Sequence, residues 1–337
     1  MIHLKRLLKF EFWPYWLLYF PAYFYWAKLA IKAKSTTYFT ATNPAMNNSG
    51  AVNQSKHNYL SKLPPHWIPK TLKISAKIQR EELNKELKKN QFSYPLIVKP
   101  DNAERGKGVH LVNTTPQLWE HIQTSKYNQL LLQEYINLPQ EAGILYYRYP
   151  TTTKGTISSI TTKVFCTLVG DGESSWGELI KRNERIAHRT QELQAQFSNR
   201  WNECAKKNEH LLVEPIGSHN RGTQFLNGKQ HNSVQLLNQL DQWAKQLPAF
   251  YYGRFDIKFN SWEELQQGKK FAIIEINGVN SEPTHIYDPS ISLIEAYKII
   301  FSHMKIIYEI SEENRRLGIA PKPLFLFLDE LITYSMR

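Results

Sequence analysis

Two acidic residues and an amide occupy matching positions in two β-forming stretches of the chain. Arg254 and Asp256 are two residues apart in the first stretch, and Glu275 and Asn277 have the same spacing in the second. Side chains alternate along a strand, so each pair shares a face, and an antiparallel hairpin would bring the pairs together. The carboxylate and amide oxygens suit Mg²⁺, and Arg254 could hold the charge of an acyl-phosphate or an oxyanion. The alternative is an exposed, salt-bridged hairpin, although unpaired carboxylates are costly in largely apolar strands.

A glycine-containing loop between two β-forming arms is the second candidate. The stretch Leu96–Val112 reads LIVKPDNAERGKGVHLV and contains Gly106, Lys107 and Gly108. Glycines allow close approach of the backbone, so that successive N–H groups can cradle phosphate oxygens. Lys99 closes an apolar strand, where a lysine without an anionic partner would be costly. The loop is not a P-loop, because no Ser or Thr follows the lysine, and an ordinary hairpin is the alternative.

A third cluster lies in the polar sequence GSHNRG, which spans Gly217–Gly222. His219 and Arg221 stand beside glycines there, and an arginine in such a loop could grip a phosphate or a carboxylate. An unremarkable surface loop explains the same residues about equally well.

The elements that must position these residues follow an α+β or α/β pattern from Leu63 onward. Before that point, residues 35–62 are polar and predict loops leading into a short helix. The FLFLDELITYSM sequence near the C-terminus predicts a last helix that closes the core. The predicted strands are Thr71–Ser75, Leu96–Lys99, Val109–Val112, Leu130–Tyr135, Ser158–Leu168, Arg254–Asn260 and Phe271–Asn277, and the predicted helices are Lys77–Lys89, Pro116–Thr124 and Ser292 to about Glu309.

The N-terminal region has an uncharged, mostly aromatic run, FWPYWLLYFPAYFYWA, at Phe12–Ala27. The run is shorter than the ~20 apolar residues of a membrane-spanning helix, contains two prolines, and lacks the features of a signal peptide. Aromatic rings favour the membrane–water interface and lysines favour anionic headgroups, which predicts a segment lying on the cytoplasmic face of a membrane. The alternative is packing against the protein itself or a second subunit. The flanking basic residues are Lys5, Arg6 and Lys9 on one side and Lys28, Lys32 and Lys34 on the other.

The composition fits a folded protein with anionic partners. The 337-residue chain has a net charge of +12, which favours nucleotides, nucleic acid or an acidic membrane surface. No nucleic-acid-binding motif is present, so a nucleic-acid partner is not expected. Cys166 and Cys204 lie far apart and outside any Cys/His cluster, which indicates two reduced thiols in a cytoplasmic protein rather than a zinc site.

The ordered motifs together resemble the ATP-grasp superfamily. Lys-Pro before the glycine loop, Leu-Leu-Gln-Glu-Tyr-Ile, Gly-Arg-Phe-Asp and Glu-Ile-Asn occur in the order found in those enzymes. Residues from about 54 to 300 are most similar in layout to D-alanine–D-alanine ligase, and VGDGESSWGELI looks like the central segment of cyanophycin synthetases. The resemblance implies an α+β fold in which two subdomains hold ATP between them, with Mg²⁺, or Mn²⁺ as the alternative.

Residue roles follow from this resemblance. Lys99, and Lys56 at an earlier position, would contact the nucleotide, and the Gly106 to Gly108 stretch with Lys107 would form a lid over the phosphates. Glu141 would hold the ribose hydroxyls. The hinge that meets adenine would be Gln133, Glu134, Tyr135 and Ile136, the metal ligands would be Asp256, Glu275 and Asn277, and the catalytic residues would be Arg254 and Lys99.

The resemblance implies a carboxylate–amine ligase that forms an acyl-phosphate and acts on small-molecule substrates. Such ligases begin with a substrate domain, whereas only about sixty residues precede the grasp region here. The carboxylate-binding half of the usual site is therefore expected to be missing, reshaped or supplied by a partner. The alternatives are a kinase that stops at phosphoryl transfer and a non-catalytic nucleotide-binding module. After Asn277 the sequence also departs from the ligases: Glu282, His285 and Asp288 either face the substrate or cap a loop. The expected division is 1–62 as an aromatic-rich segment and linker, 63–310 as the ATP-grasp domain, and 311–337 as a helical extension.

Overall fold

Two antiparallel sheets form the framework of the protein. The computed structural model describes residue 6, residues 9–102, residue 106 and residues 108–335. The first sheet has the strand order β1-β4-β2-β3, the second has the order β11-β10-β5-β6-β9, and β7 pairs with β8 in a small separate ribbon. The predicted α+β class is confirmed by this arrangement.

The first sheet consists of β1 (Thr71–Ser75), β2 (Leu96–Pro100), β3 (His110–Val112) and β4 (Gln129–Glu134). Helices α4 (Arg80–Lys89) and α5 (Thr115–Gln123) cover it, and their apolar side chains pack with those of the strands in one core. The start of α5 is fixed by the Thr114 side chain, which accepts a hydrogen bond from the Gln117 N–H. This layer carries Lys99 and Gln133 toward the second sheet.

The second sheet consists of β5 (Gln140–Tyr147), β6 (Thr156–Val164), β9 (Gln224–Asn227), β10 (Tyr252–Phe259) and β11 (Phe271–Asn277). Helix α8 (Val234–Gln246) begins after Ser233, whose hydroxyl accepts from the Leu236 N–H, and packs Trp243 and other apolar residues onto the sheet. The central strands β5 and β10 are buried along most of their length. They therefore form a rigid base for the polar side chains that point away from this core.

The small ribbon, β7 (Thr167–Val169) with β8 (His210–Leu212), belongs to a separate apolar cluster with α6 (Trp176–Arg182) and α7 (Thr190–Gln196). A reciprocal cap fixes the start of α6, because Ser175 and Glu178 each bond the other's backbone N–H. The remaining α-helices are α1 (Tyr15–Leu18), α2 (Phe20–Ala33), α3 (Lys56–Leu60), α9 (Trp262–Gln266), α10 (Leu293–Arg316) and α11 (Leu324–Ser335). The 3₁₀ segments are Phe10–Phe12, Tyr38–Ala41, Asn47–Gly50, Pro65–Trp67, Ala187–Arg189, His219–Arg221, Lys229–His231 and Thr284–Tyr287.

The N-terminal aromatic helix α2 packs one face on the protein and leaves the other exposed. Ala22 contacts the apolar cluster of the long helix α10, and Leu29 packs near Tyr308 of the same helix. On the opposite face Phe20 and Phe24 are exposed, Phe24 by 66%. One face of this helix therefore packs against the rest of the protein. Among the described residues, no helix is both long and apolar enough to cross a bilayer.

Several predicted elements differ in the structure. The expected single strand over 158–168 is two strands, β6 and β7, and helix α9 lies in the link between the two strands of the acidic hairpin. Strand β5 was not predicted, because burial of nearly every residue removes the alternation that identifies a strand. The last helix does not close the core: it forms over Leu324–Ser335, but Phe325 is 70% exposed and Ile332 is also exposed. The division at residues 62 and 310 stays a prediction.

Candidate active site

A cavity of about 560 Å³ lies between the two sheets and collects most of the polar residues singled out in the sequence. It is lined from one sheet by β2 and β4 and from the other by β5, β6, β10 and β11. Lys107 lies outside the described residues, and Gly108, Arg221 and His285 do not line the cavity. The predicted residues that do line it are Lys56, Lys99, Gly106, Gln133, Glu134, Tyr135, Ile136, Glu141, His219, Arg254, Asp256, Glu275, Asn277 and Glu282.

The acidic hairpin forms as predicted. Strands β10 and β11 pair so that Arg254 is opposite Asn277 and Asp256 is opposite Glu275. The Arg254 guanidinium lies 3.0 Å from the Asp256 carboxylate, and the Asn277 amide donates to that carboxylate at 3.1 Å. Burial raises the pKa of Asp256, but Arg254 and Lys163 outweigh it and hold this pKa below its ordinary value.

This oxygen set fits a magnesium ion bound together with phosphates. Two carboxylates and an amide oxygen meet at one edge of the cavity, which matches the few protein ligands that Mg²⁺ takes when phosphates and water complete its shell. No group of three or more His, Cys, Asp or Glu side chains that could hold a metal occurs within the described ranges.

Three lysines converge on these carboxylates. Lys56, from helix α3, forms an ion pair with Glu275 at 2.7 Å, and Lys163, from β6, contacts Asp256 at 3.0 Å. Lys99 donates to the Gln133 side chain at 2.9 Å and lies 3.3 Å from the Ile274 carbonyl oxygen. Burial lowers the pKa of Lys99 to about 8, with Glu275 opposing the shift. The lysines hold the acidic edge of the cavity near neutrality.

Lys163 and Lys258 were missed in the sequence. The Lys163 side chain is largely shielded from solvent and also pairs with Glu141 at 2.7 Å, and Lys258 approaches the other Glu141 oxygen at 3.6 Å. The neighbouring carboxylates Asp256 and Glu141 raise the pKa of Lys163 against its burial. Both lysines stand within β-forming runs, so the argument that identified Lys99 could have identified them too.

The hinge and ribose candidates reach the cavity in different ways. The Gln133 side chain is buried and bridges Lys99 and the Thr71 hydroxyl, while the Glu134 N–H donates to the Lys70 carbonyl. Glu141 is buried and paired with Lys163 and Lys258. Gly217 leaves room for the Glu141 carboxylate, since a Cβ at position 217 would stand 2.4 Å from one of its oxygens.

The other loop candidates are used inside the protein. Arg221 pairs with Glu214 at 3.3 Å and donates to the Val109 carbonyl at 2.9 Å, which holds it outside the cavity. His285 is buried and bonded to the Ser159 hydroxyl, and burial lowers its pKa to about 4. Asp288 accepts from the Asn227 N–H at 2.6 Å. Gly106 and Gly108 both have positive φ angles, as a tight glycine turn requires.

The N-terminal aromatic segment supplies a wall of the cavity, which the sequence did not indicate. Glu11, Trp13 and Tyr15 all line it. The Glu11 carboxylate forms an ion pair with Arg185 at 2.7 Å and contacts the His219 ring at 3.2 Å. Burial raises the pKa of Glu11, yet His219 and Arg185 bring it below its ordinary value. The short N-terminal segment thus closes part of the cavity.

Comparison with known proteins connects this geometry to ligases. A model of the tubulin-tyrosine ligase family matches residues 34–140, which is 107 of the 337 residues. No curated protein matches. The family match confirms the resemblance to ligases inferred from the motifs.

Similar solved structures include VanG D-Ala:D-Ser ligase from Enterococcus faecalis, with 12% identity, a TM-score of 0.45, and coverage of 78% of this chain and 64% of that chain. D-alanine–D-alanine ligase from Bacillus anthracis complexed with ATP has 14% identity, a TM-score of 0.42 and coverage of 78% and 71%. A bifunctional glutathione synthetase from Pasteurella multocida has 14% identity, a TM-score of 0.36 and coverage of 70% and 34%. The chain thus spans only part of these proteins, and likenesses this distant carry no weight for its substrates.

Proposed function

We propose that this protein is an ATP- and magnesium-dependent ligase of the ATP-grasp type, which activates a carboxylate as an acyl-phosphate and joins it to an amine. The observation that carries this proposal is the convergence of Lys56, Lys99 and Lys163 on the paired carboxylates Asp256 and Glu275 inside one cavity. Cations for phosphates and oxygens for a metal are the parts that phosphoryl transfer needs.

The lysines would exchange partners when nucleotide binds. Lys56 and Lys163 now neutralise Glu275 and Asp256, and both could turn to phosphate oxygens while the carboxylates hold the metal. Magnesium would supply charge neutralisation on the phosphates. The buried Lys99 ammonium, in the wall of the cavity, would donate a charge-assisted hydrogen bond to a phosphate oxygen.

The chemistry has two steps. An oxygen of the substrate carboxylate attacks the γ-phosphorus, and the bond from that phosphorus to the ADP oxygen breaks. The lone pair of a deprotonated amine then attacks the carbonyl carbon, the bond to the phosphate oxygen breaks, and the nitrogen releases its extra proton. Arg254, anchored to Asp256, stands where it can stabilise the oxyanion of the second step.

The test is ATP turnover against a panel of amino acids, dipeptides and other carboxylates, with amines or hydroxylamine as acceptors. We expect ADP and phosphate release that needs both substrates and is lost in Asp256→Asn and Glu275→Gln. Asp329→Asn is the matched control, because Asp329 is exposed on the C-terminal helix. ADP without free phosphate would identify a kinase instead, and nucleotide binding without turnover would favour a non-catalytic module.

We also propose that the protein works on the cytoplasmic face of an anionic membrane. Support comes from the exposed face of α2, where Phe20 and Phe24 follow the 63% exposed Trp16 of α1. Lys28 and Lys32 are exposed on the same helix. Aromatic rings beside lysines are the composition of an interfacial anchor.

The C-terminal helix extends this apolar surface. Leu324 at its start lines one groove with Ile31 and Trp26 of α2, and Phe39 stacks edge-on against Phe327 at 5.4 Å. The two helices therefore present their exposed apolar residues on adjoining parts of the surface.

The free thiols Cys166 and Cys204 suit a reducing compartment.

Co-sedimentation with vesicles of phosphatidylserine and phosphatidylcholine tests this second proposal. We expect binding that weakens with salt and drops in the double variant Trp16→Ser, Phe24→Ser. Val234→Ser, an exposed apolar residue of α8, is the control. Equal sedimentation of both variants and the unchanged protein would contradict membrane docking through this face.

A further inference from the structure

The cavity has two ends of different character. At one end Lys56, Lys99 and Lys163 meet the paired carboxylates, whereas Glu282 lines the cavity together with Trp13 and Tyr15 of the N-terminal segment. The Tyr287 hydroxyl donates to the Glu282 carboxylate at 3.2 Å, and Tyr19 bonds the same carboxylate. Within the described part of the chain Glu282 forms no ion pair. Phenols supply hydrogen bonds to this carboxylate without neutralising its charge.

Aromatic rings surround this end. Trp13, Tyr15 and Tyr287 line the cavity, and the Tyr15 ring stacks on Tyr19 at 4.2 Å between centroids. The face of an aromatic ring attracts a cation, most strongly where water is partly excluded. A carboxylate set among such rings is a suitable environment for an ammonium group.

Glu11 lies at the same end but already has a cationic partner. Its carboxylate is paired with Arg185 at 2.7 Å and touches His219. Glu11 is therefore neutralised within the protein, and Glu282 is the carboxylate that gains most from a bound cation.

One side chain connects this end to the reaction centre. The Arg254 guanidinium lies 3.0 Å from the Asp256 carboxylate and 3.5 Å from the Glu282 backbone carbonyl. The Glu282 carboxylate is also close enough to Arg254 to interact with it electrostatically. A group held by Glu282 would therefore lie on the other side of this guanidinium from Asp256.

We propose that Glu282 and the rings of Trp13, Tyr15 and Tyr287 bind the ammonium group of the acceptor, so that the acceptor is a primary amine attached to an apolar or aromatic group. This rests on the proposed ligase function for its role, but the binding site is defined by the cavity itself. The N-terminal segment then forms the wall of the cavity that binds the acceptor. Transfer of one proton from the bound ammonium to the Glu282 carboxylate gives the neutral amine whose lone pair attacks in the second step.

The test uses a matched pair of probes, benzylammonium and benzyl alcohol, which differ in charge and little in shape. Their dissociation constants for the full chain are measured by calorimetry at neutral pH. We expect benzylammonium to bind about tenfold tighter than the alcohol, as a charged hydrogen-bonded pair predicts. In Glu282→Gln this ratio should fall to about one, while Glu295→Gln, an exposed carboxylate outside the cavity, should keep the ratio of the unchanged protein.

Equal affinity of the unchanged protein for both probes would overturn the proposal, even if Glu282→Gln failed to fold. A preference for the amine that survives in a folded Glu282→Gln variant would overturn it as well. Hydroxylamine trapping of an acyl-phosphate separates this result from the ligase proposal. Tighter binding of the amine without any hydroxamate would support the ammonium site and contradict the ligase proposal. Hydroxamate formation without tighter binding of the amine would support the ligase proposal and contradict the ammonium site.

Discussion

Replacing Lys99 by methionine should make the free protein more stable and its nucleotide binding weaker. Lys99 is buried, and its pKa falls from 10.5 to about 8. At about 1.4 kcal/mol per unit, keeping this lysine charged near neutral pH costs about 3 kcal/mol of folding free energy. Methionine has a similar length and carries no charge. It therefore removes this cost together with the hydrogen bond to Gln133.

The lost hydrogen bond offsets about 1 kcal/mol, so the net gain in unfolding free energy is about 2 kcal/mol. For a chain of this length that is roughly 3 °C in the midpoint of thermal unfolding.

The pH dependence of this gain shows whether the buried charge of Lys99 causes it. Because the unfolded chain binds more protons than the folded protein between about pH 8 and 10.5, the unchanged protein gains stability across that window. The advantage of the variant should be full below about pH 8 and should disappear by about pH 10.5.

The assay is thermal unfolding of both proteins at a series of pH values, followed by titration with ATP at neutral pH. Lys245→Met is the control, because Lys245 is exposed on α8. We expect Lys99→Met to weaken ATP binding by about ten- to a hundredfold, the loss of one charge-assisted bond. A difference in stability that is the same at every pH, or an unchanged affinity for ATP, would refute the reasoning.

Two further predictions concern a glycine and a buried histidine. Gly217→Ala should weaken nucleotide binding about tenfold and also lower stability, since the added Cβ would press on the buried Glu141 carboxylate that the lysines hold in place; titration with ATP checks this, and unchanged affinity contradicts it. Burial lowers the pKa of His303 to about 3, and this ring bonds the Tyr252 hydroxyl at 2.9 Å, so stability should fall as the pH drops from about 6.5 toward 3. His303→Asn should flatten that fall in thermal unfolding, and parallel pH profiles for the two proteins would count against it.

The acidic hairpin shows how far local pattern reaches. The strand Phe271–Asn277 and the strand Thr71–Ser75 have the predicted bounds, and alternation predicts that Arg254 shares a face with Asp256 and Glu275 with Asn277. These features depend on residues close in sequence. Alternating burial leaves a visible trace only where one face of a strand is apolar and the other polar.

Strand β5 shows the limit of that signal. Its residues are buried on both faces, so QEAGILYY has no alternation, and it was not predicted although it lies at the centre of the second sheet. Lys163 was missed for a related reason. Its partners Asp256 and Glu141 come from two other strands, and only the sheet order places them beside it.

The fate of the two terminal helices also depended on tertiary contacts. Composition predicted a helix for the C-terminal segment and a membrane-surface segment for the N-terminal run, but apolar composition suits a core, a membrane surface or an interface alike. Packing of α2 on α10 buried one face and left Phe24 exposed. Helix α11 is attached along one side, through Phe327, Glu330 and Tyr334, while Phe325 stayed exposed. Composition cannot assign a side to a helix that is apolar nearly all round.

Local sequence was enough to predict the α+β pattern, the hairpin that carries the acidic pair, and the ordered motifs that resemble ATP-grasp ligases. The folded arrangement was needed to know which lysines meet those carboxylates, that Arg221 pairs with Glu214, and that the N-terminal aromatic segment forms a wall of the cavity. Hydrophobic periodicity and strand alternation act over a few residues, whereas ion pairs and cavity walls join residues that folding brings together from distant parts of the chain.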